Sequence, residues 1–102
     1  MLMSAATPDN LRDIFEEPLF SEQMDALGVS YRHRDDIMSA ISFVLARHPE
    51  IFPQVPNTCL SAVTVELYDG YPSVRFLFTF SEDRVTLVAI DFGERLPRPG
   101  RR

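Results

Sequence analysis

Two apolar runs, Val74–Phe80 and Val85–Phe92, flank the polar quartet Ser81-Glu82-Asp83-Arg84. Runs of that length, rich in Val, Phe, Thr and Ile and broken by a short polar hinge, predict a β-hairpin. Within the first run, Val74, Phe76, Phe78 and Phe80 recur at period two, so they share one face, while Arg75, Leu77, Thr79 and Ser81 take the other. A face of three phenylalanines and a valine cannot be left in water, and an isolated hairpin is marginal at best. The rest of the chain therefore has to supply a third strand and a cover. Leu60–Leu67 supplies the strand, joined to the first run through the turn sequence "YDGYPS".

The cover is helical. From Asp35 to His48, apolar residues fall at Ile37, Met38, Ile41, Val44 and Leu45, the i, i+3, i+4, i+7 stripe of an amphipathic helix. Asp35 and Asp36 are expected in its first turn and Arg47 and His48 in its last, each favoured there by the helix dipole, with Pro49 as the stop. Leu19–Gly28 carries Leu19, Phe20, Met24 and Leu27 at helical spacing and closes on glycine. Residues 11–18 admit two readings. "TPDN" resembles a helix start, with Thr7 as cap and Pro8 at the first helical position, but Leu11–Glu17 is short and stops at Pro18, which suits an edge strand. The strand is preferred. Residues 49–59, with three prolines, form a connector. The order is short strand, two-helix hairpin, three-stranded antiparallel sheet: an α+β fold.

A chain of 102 residues holds one such domain. We expect it over residues 1–92, followed by a tail at 93–102. The tail holds four arginines against one glutamate, +3, and residues 1–92 hold six against fourteen acids, −8, giving the net −5. An acidic body of this kind is not a generic nucleic-acid binder. No lysine occurs, and all ten basic residues are arginine, so no lysine base or Schiff base is available and every basic group stays charged near neutral pH. Cys59 is the single cysteine, which excludes an intrachain disulfide. No apolar run approaches the roughly 20 residues of a membrane helix, and the first ten residues do not read as a secretion signal. These features lead us to expect a cytoplasmic protein that contacts no membrane.

The element order, together with "EPLFSEQMDALG", "DDIMSAISFVLARHPEIFPQVP" and "YPSVRFLFTFSEDRVTLVAIDFGER", resembles the RelE/ParE superfamily of type II toxin–antitoxin toxins over about Ile14 to Arg95. The resemblance implies a bacterial growth inhibitor held inactive by a cognate antitoxin protein that wraps the sheet and helices. The target is then DNA gyrase, as for ParE-like members, or messenger RNA in the ribosome, as for RelE-like ones, which are endoribonucleases. It makes Arg75 the early-hairpin arginine that contacts the scissile phosphate and Arg95 the arginine after the last strand. This chain departs from the RelE-like pattern in two ways. "CLSAVTVEL" lacks the lysines of the first sheet strand, and "LPRPGRR" lacks the tyrosine that follows the second arginine. Arginine can stabilise a developing phosphorane through paired contacts, but it cannot act as a general base. Glu66, Asp69 and Asp91 are the carboxylates near the sheet that would have to do so. The other reading of the same fold is a non-catalytic protein–protein interaction module that has lost toxicity.

Each of these residues also has a plainer reading. Arg75 and Arg95 can be solvated charges at a strand, and Arg98, Arg101 and Arg102 a frayed terminus instead of an arm that contacts RNA or an acidic partner. His33 and His48 lie fifteen residues apart with no cysteine nearby, which gives no metal-site spacing; the dipole explains His48 as a helix C-terminal residue. Glu16 and Glu17 read as a solvated edge. With four glycines and no glycine-rich phosphate loop, no nucleotide cofactor is implied.

Overall fold

The computed structural model describes residues 11–67 and 73–91. In chain order these form β1 (Asp13–Glu16), α1 (Pro18–Ala26), α2 (Tyr31–Arg47), a 3-10 turn (Pro49–Ile51), β2 (Ser61–Val65), β3 (Val74–Phe80) and β4 (Arg84–Asp91). The strands make one four-stranded mixed sheet in the order β1-β4-β3-β2. β2, β3 and β4 are an antiparallel meander, and β1 pairs with β4 in parallel. β1 and β2 thus lie at opposite edges and run the same way. The chain between them must cross the sheet, and both helices are spent on that crossing. This is why, among the described residues, one face of the sheet is covered and the other is not.

The edge-strand reading of residues 11–17 holds as β1, while Thr7 and Pro8 lie outside the described residues. Pro18 does not merely end β1. It opens α1 at the first helical position, where its missing N–H is no loss. α1 ends as expected of a glycine stop: Gly28 has φ +72° and its N–H donates to the Asp25 carbonyl. α2 begins four residues earlier than the apolar stripe suggests. Ser30 is the N-cap, its hydroxyl accepting from the His33 N–H, which satisfies one of the otherwise orphaned first-turn donors. Asp35 and Asp36 therefore sit in the second turn, and Arg32, His33 and Arg34 occupy the first. At the other end Arg47 is the last helical residue and His48 the C-cap. Pro49 ends α2 and starts the 3-10 turn.

The core lies between the helices and the covered face. Phe20 and Met24 of α1 and Ile37 and Leu45 of α2 pack on Val63 and Val65 of β2, Val74, Phe76 and Phe78 of β3, and Val85, Leu87 and Ile90 of β4. Phe20 meets Phe76 edge to face with ring centroids 5.0 Å apart, a favoured aromatic geometry. Phe80 departs from expectation. It shares the parity of Val74, Phe76 and Phe78, which are fully buried, yet is 40% exposed. Phe80 lies against Phe78 and the Arg12 guanidinium, 5.9 Å from its ring centre.

β4 contains a bulge. Leu77 pairs with Ala89, and the next residue, Phe78, pairs with Leu87, so Val88 has no partner on β3. Past that extra residue the inward parity of β4 changes from odd to even, and Ile90 turns into the core beside Leu87. Without the bulge Ile90 would oppose Arg75 on the open face and Asp91 would point into the core. Exchanging those two faces is the structural role of Val88.

Candidate functional site: the open face of the sheet

Because residues paired directly across an antiparallel ladder share a face, the register spells out the uncovered side of the sheet. One row is Thr64, Arg75, Asp91; the next is Ala62, Leu77, Ala89; a third joins Thr79 to Thr86 and, through the parallel pairing, to Phe15. Arg84 and Asp13 close the far end, with the Arg84 guanidinium lying over the Phe15 ring at 4.2 Å from its centre. The face thus runs from an ion pair, across an aliphatic row in which Ala62 is buried and Leu77 and Ala89 are half-buried, to an arginine-capped aromatic ring.

Arg75 is the second residue of β3, flanked by core residues Val74 and Phe76 on the opposite face, so its backbone is fixed by packing. One of its terminal nitrogens donates to Asp91 Oδ2. The two side chains retain 36% and 38% of their exposure. The Arg75 Nε–H is itself buried and has no hydrogen-bond partner. While Asp91 holds it, this guanidinium offers little net charge to a phosphate: an incoming anion meets a +1 and a −1 side by side. Of the three carboxylates considered as bases, Asp91 is in contact with Arg75, Glu66 is exposed just past β2, and Asp69 lies outside the described residues. So do Arg95, Arg98, Arg101 and Arg102; of the five arginines singled out in the sequence, the structure places Arg75 alone.

The sequence did not mark Asp91 as the partner of Arg75. The signal was present, however. Strict alternation from Val85 would bury Asp91 beside Leu87 and expose Ile90, and an aspartate at a core position is the mark of an irregular strand.

Away from this face, polar side chains serve the architecture. Arg12 donates from Nε to the Ser81 carbonyl at 2.7 Å and reaches the Ala46 and Arg47 carbonyls at 3.5 Å, tying the end of α2 to the hairpin turn. Glu16 is not simply solvated: it accepts from the Ser21 hydroxyl at 2.9 Å and lies 3.9 Å from Arg34, which also pairs with Asp25. Glu17, by contrast, is exposed. His33 bonds the Leu67 carbonyl, joining the first turn of α2 to the end of β2. His48 lies 3.6 Å from Glu50. Cys59 is free and exposed. A small apolar pocket between α1 and β4 is lined by Gln23, Ala26, Leu27 and Ile90; the Gln23 side-chain oxygen accepts from the Ile90 N–H. No group of three or more His, Cys, Asp or Glu side chains that could hold a metal occurs among the described residues, and none of their helices is long and apolar enough to cross a membrane.

No protein-family model matches the chain, and no curated protein matches its sequence.

Proposed function

We propose that this chain is the toxin-like member of a RelE/ParE-type toxin–antitoxin pair and that it acts by binding a protein, not by cutting RNA. The cognate antitoxin is its first partner, and gyrase is the class of target that fits a surface without a ribonuclease centre. The observation that carries this reading is the Arg75–Asp91 pair. The arginine that the resemblance assigns to the scissile phosphate is held by a carboxylate, on a face whose other rows are aliphatic, hydroxyl and aromatic. The chain has no lysine to serve as base, and its net charge of −5 opposes the ribosome, where phosphate dominates affinity. A strand, two helices and a three-stranded meander in that order is what the resemblance implies and adds support.

The test is controlled expression in a bacterium beside Arg75→Ala, with growth, DNA synthesis and translation followed by labelling. We expect arrest with DNA synthesis failing first and transcripts left whole. Arrest with cleaved transcripts, abolished by Arg75→Ala, refutes the binding mechanism in favour of the endoribonuclease. Unimpaired growth with folded protein present refutes toxicity and leaves the interaction module, whose antitoxin-like partner is then sought by co-purification.

A further inference from the structure

We propose that Asp91 is a built-in competitor for Arg75, and that a carboxylate brought by the protein partner of the open face takes its place. This inference concerns how that face is regulated and rests on the protein-binding reading above.

Three features carry it. The first is the Val88 bulge, which sets Asp91 directly across from Arg75 when regular alternation would have buried it. The second is the state of the guanidinium. A terminal nitrogen is engaged by Asp91, while the Nε–H is buried and unpartnered. A carboxylate binds a guanidinium best through two parallel N–H bonds. Asp91 engages one terminal nitrogen and leaves Nε–H idle. A free carboxylate arriving from the open side, once Asp91 lets go and the side chain turns, can take both Nε–H and its neighbour. The exchange thus replaces a pair with an orphaned donor by a pair without one, and an orphaned buried donor is what makes a site costly to leave unfilled. The third is exposure. Both partners keep more than a third of their surface, and pairs exposed to that degree are weak enough to be displaced.

The same geometry favours a single carboxylate on a largely apolar partner over a nucleic-acid strand. Arg75 and Arg84 stand at opposite ends of the face, about 20 Å apart at 3.3–3.4 Å per strand residue. Backbone phosphates recur every ~3.4 Å along each strand of a duplex, and the rows between the two arginines hold Leu77, Ala89, Thr79 and Thr86 in place of further cations.

The probe is tetraglutamate, titrated into 15N-labelled full-length protein while the Arg75 Nε–H resonance is followed, with inorganic phosphate as the parallel titrant. Wild type, Asp91→Asn and Glu22→Gln are compared. Glu22→Gln removes one negative charge from an exposed position on α1 and reports the effect of net charge alone. We expect Asp91→Asn to bind tetraglutamate about two- to fivefold more tightly than wild type, the range that exposed ion pairs carry, with Glu22→Gln unchanged. Asp91→Ser is the second variant, and the same ordering is required of whichever of the two retains the dispersed spectrum of the folded protein. Equal or weaker binding by the Asp91 variant overturns the proposal, as does an equal gain in Glu22→Gln. A larger gain for phosphate than for peptide overturns the carboxylate assignment. Toxicity does not enter this readout, so its failure is distinct from failure of the functional reading.

Discussion

Deleting Val88 from the middle of a sheet strand should leave the protein folded. In a regular strand, removing one residue moves every side chain beyond it to the other face. If the same happened here, starting from the faces that Ile90 and Asp91 now occupy, the deletion would carry Ile90 out of the core and Asp91 into it. Exposing a buried Ile costs about 1.5–3 kcal/mol, and breaking an ion pair to bury one charge adds about 3–5 kcal/mol. Together these approach the whole of a typical domain stability of about 5–15 kcal/mol. The bulge reverses the expectation. Val88 is the unpartnered residue between Leu87, which faces Phe78, and Ala89, which faces Leu77. Its removal joins those two pairs into an unbroken ladder, with Leu87 and Ile90 still inward and Asp91 still across from Arg75. What is lost is the local twist and the partial burial of one valine, about 1 kcal/mol, the ordinary scale of a single change. Urea unfolding followed by circular dichroism reads the difference. With a slope of about 1–3 kcal/mol per molar, the deletion should lower the midpoint by about 0.3–1 M. An unfolded protein, or a loss above about 4 kcal/mol, would refute the closing of the ladder over Val88, and a clear gain in stability would refute the face assignment of Asp91, because a strand of regular alternation would have its buried aspartate released by the deletion.

Phe76→Ala should cost about 3–5 kcal/mol in the same assay, because the ring is fully buried and stacked edge to face on Phe20; a cost below 1 kcal/mol would contradict its place in the core. Ser30→Ala should lose about 1 kcal/mol through the α2 N-cap, and Ser30→Asp should recover most of it; equal loss in both would argue against the cap. Gly28→Ala should cost about 1 kcal/mol although nothing lies within 4 Å of the added carbon, since the penalty comes from the backbone at φ +72°; Gly28→Asn should cost less, and a neutral Gly28→Ala would show that the turn has another conformation. Arg12→Lys should destabilise nearly as much as Arg12→Ala, because a single ammonium cannot span the Ser81, Ala46 and Arg47 carbonyls that the guanidinium reaches; full retention of the wild-type melting temperature by Arg12→Lys would refute the clamp.

The sequence by itself determined the elements. Period two in Val74–Phe78, the helical stripe from Ile37 to Leu45 and the punctuation by Pro18, Gly28 and Pro49 are local signals. They act over a turn of helix or a few strand residues, so composition and spacing carry them. The ends of the elements were less legible where a single side chain decided them. Ser30 caps α2 seven residues ahead of Ile37, the first residue of its apolar stripe, because capping is a hydrogen bond and not a hydrophobic pattern. Arg75 was legible as an outward charge on β3 for the same reason that its phenylalanine neighbours were legible as core.

The tertiary structure alone decided what Arg75 meets. Its partner lies sixteen residues away in the chain and comes to it through one unpaired residue, Val88, whose effect is to shift the register. Register is a property of two strands and the core they share: burying Ile90 rather than Asp91 is worth more than keeping the ladder regular. Alternation within one strand cannot express that comparison. The placement of β1 beside β4, parallel and across the sheet from β2, is likewise a matter of where two helices can cross and cover. Among the described residues that crossing leaves one face open, and on it stand Arg75, Asp91, Leu77 and Phe15.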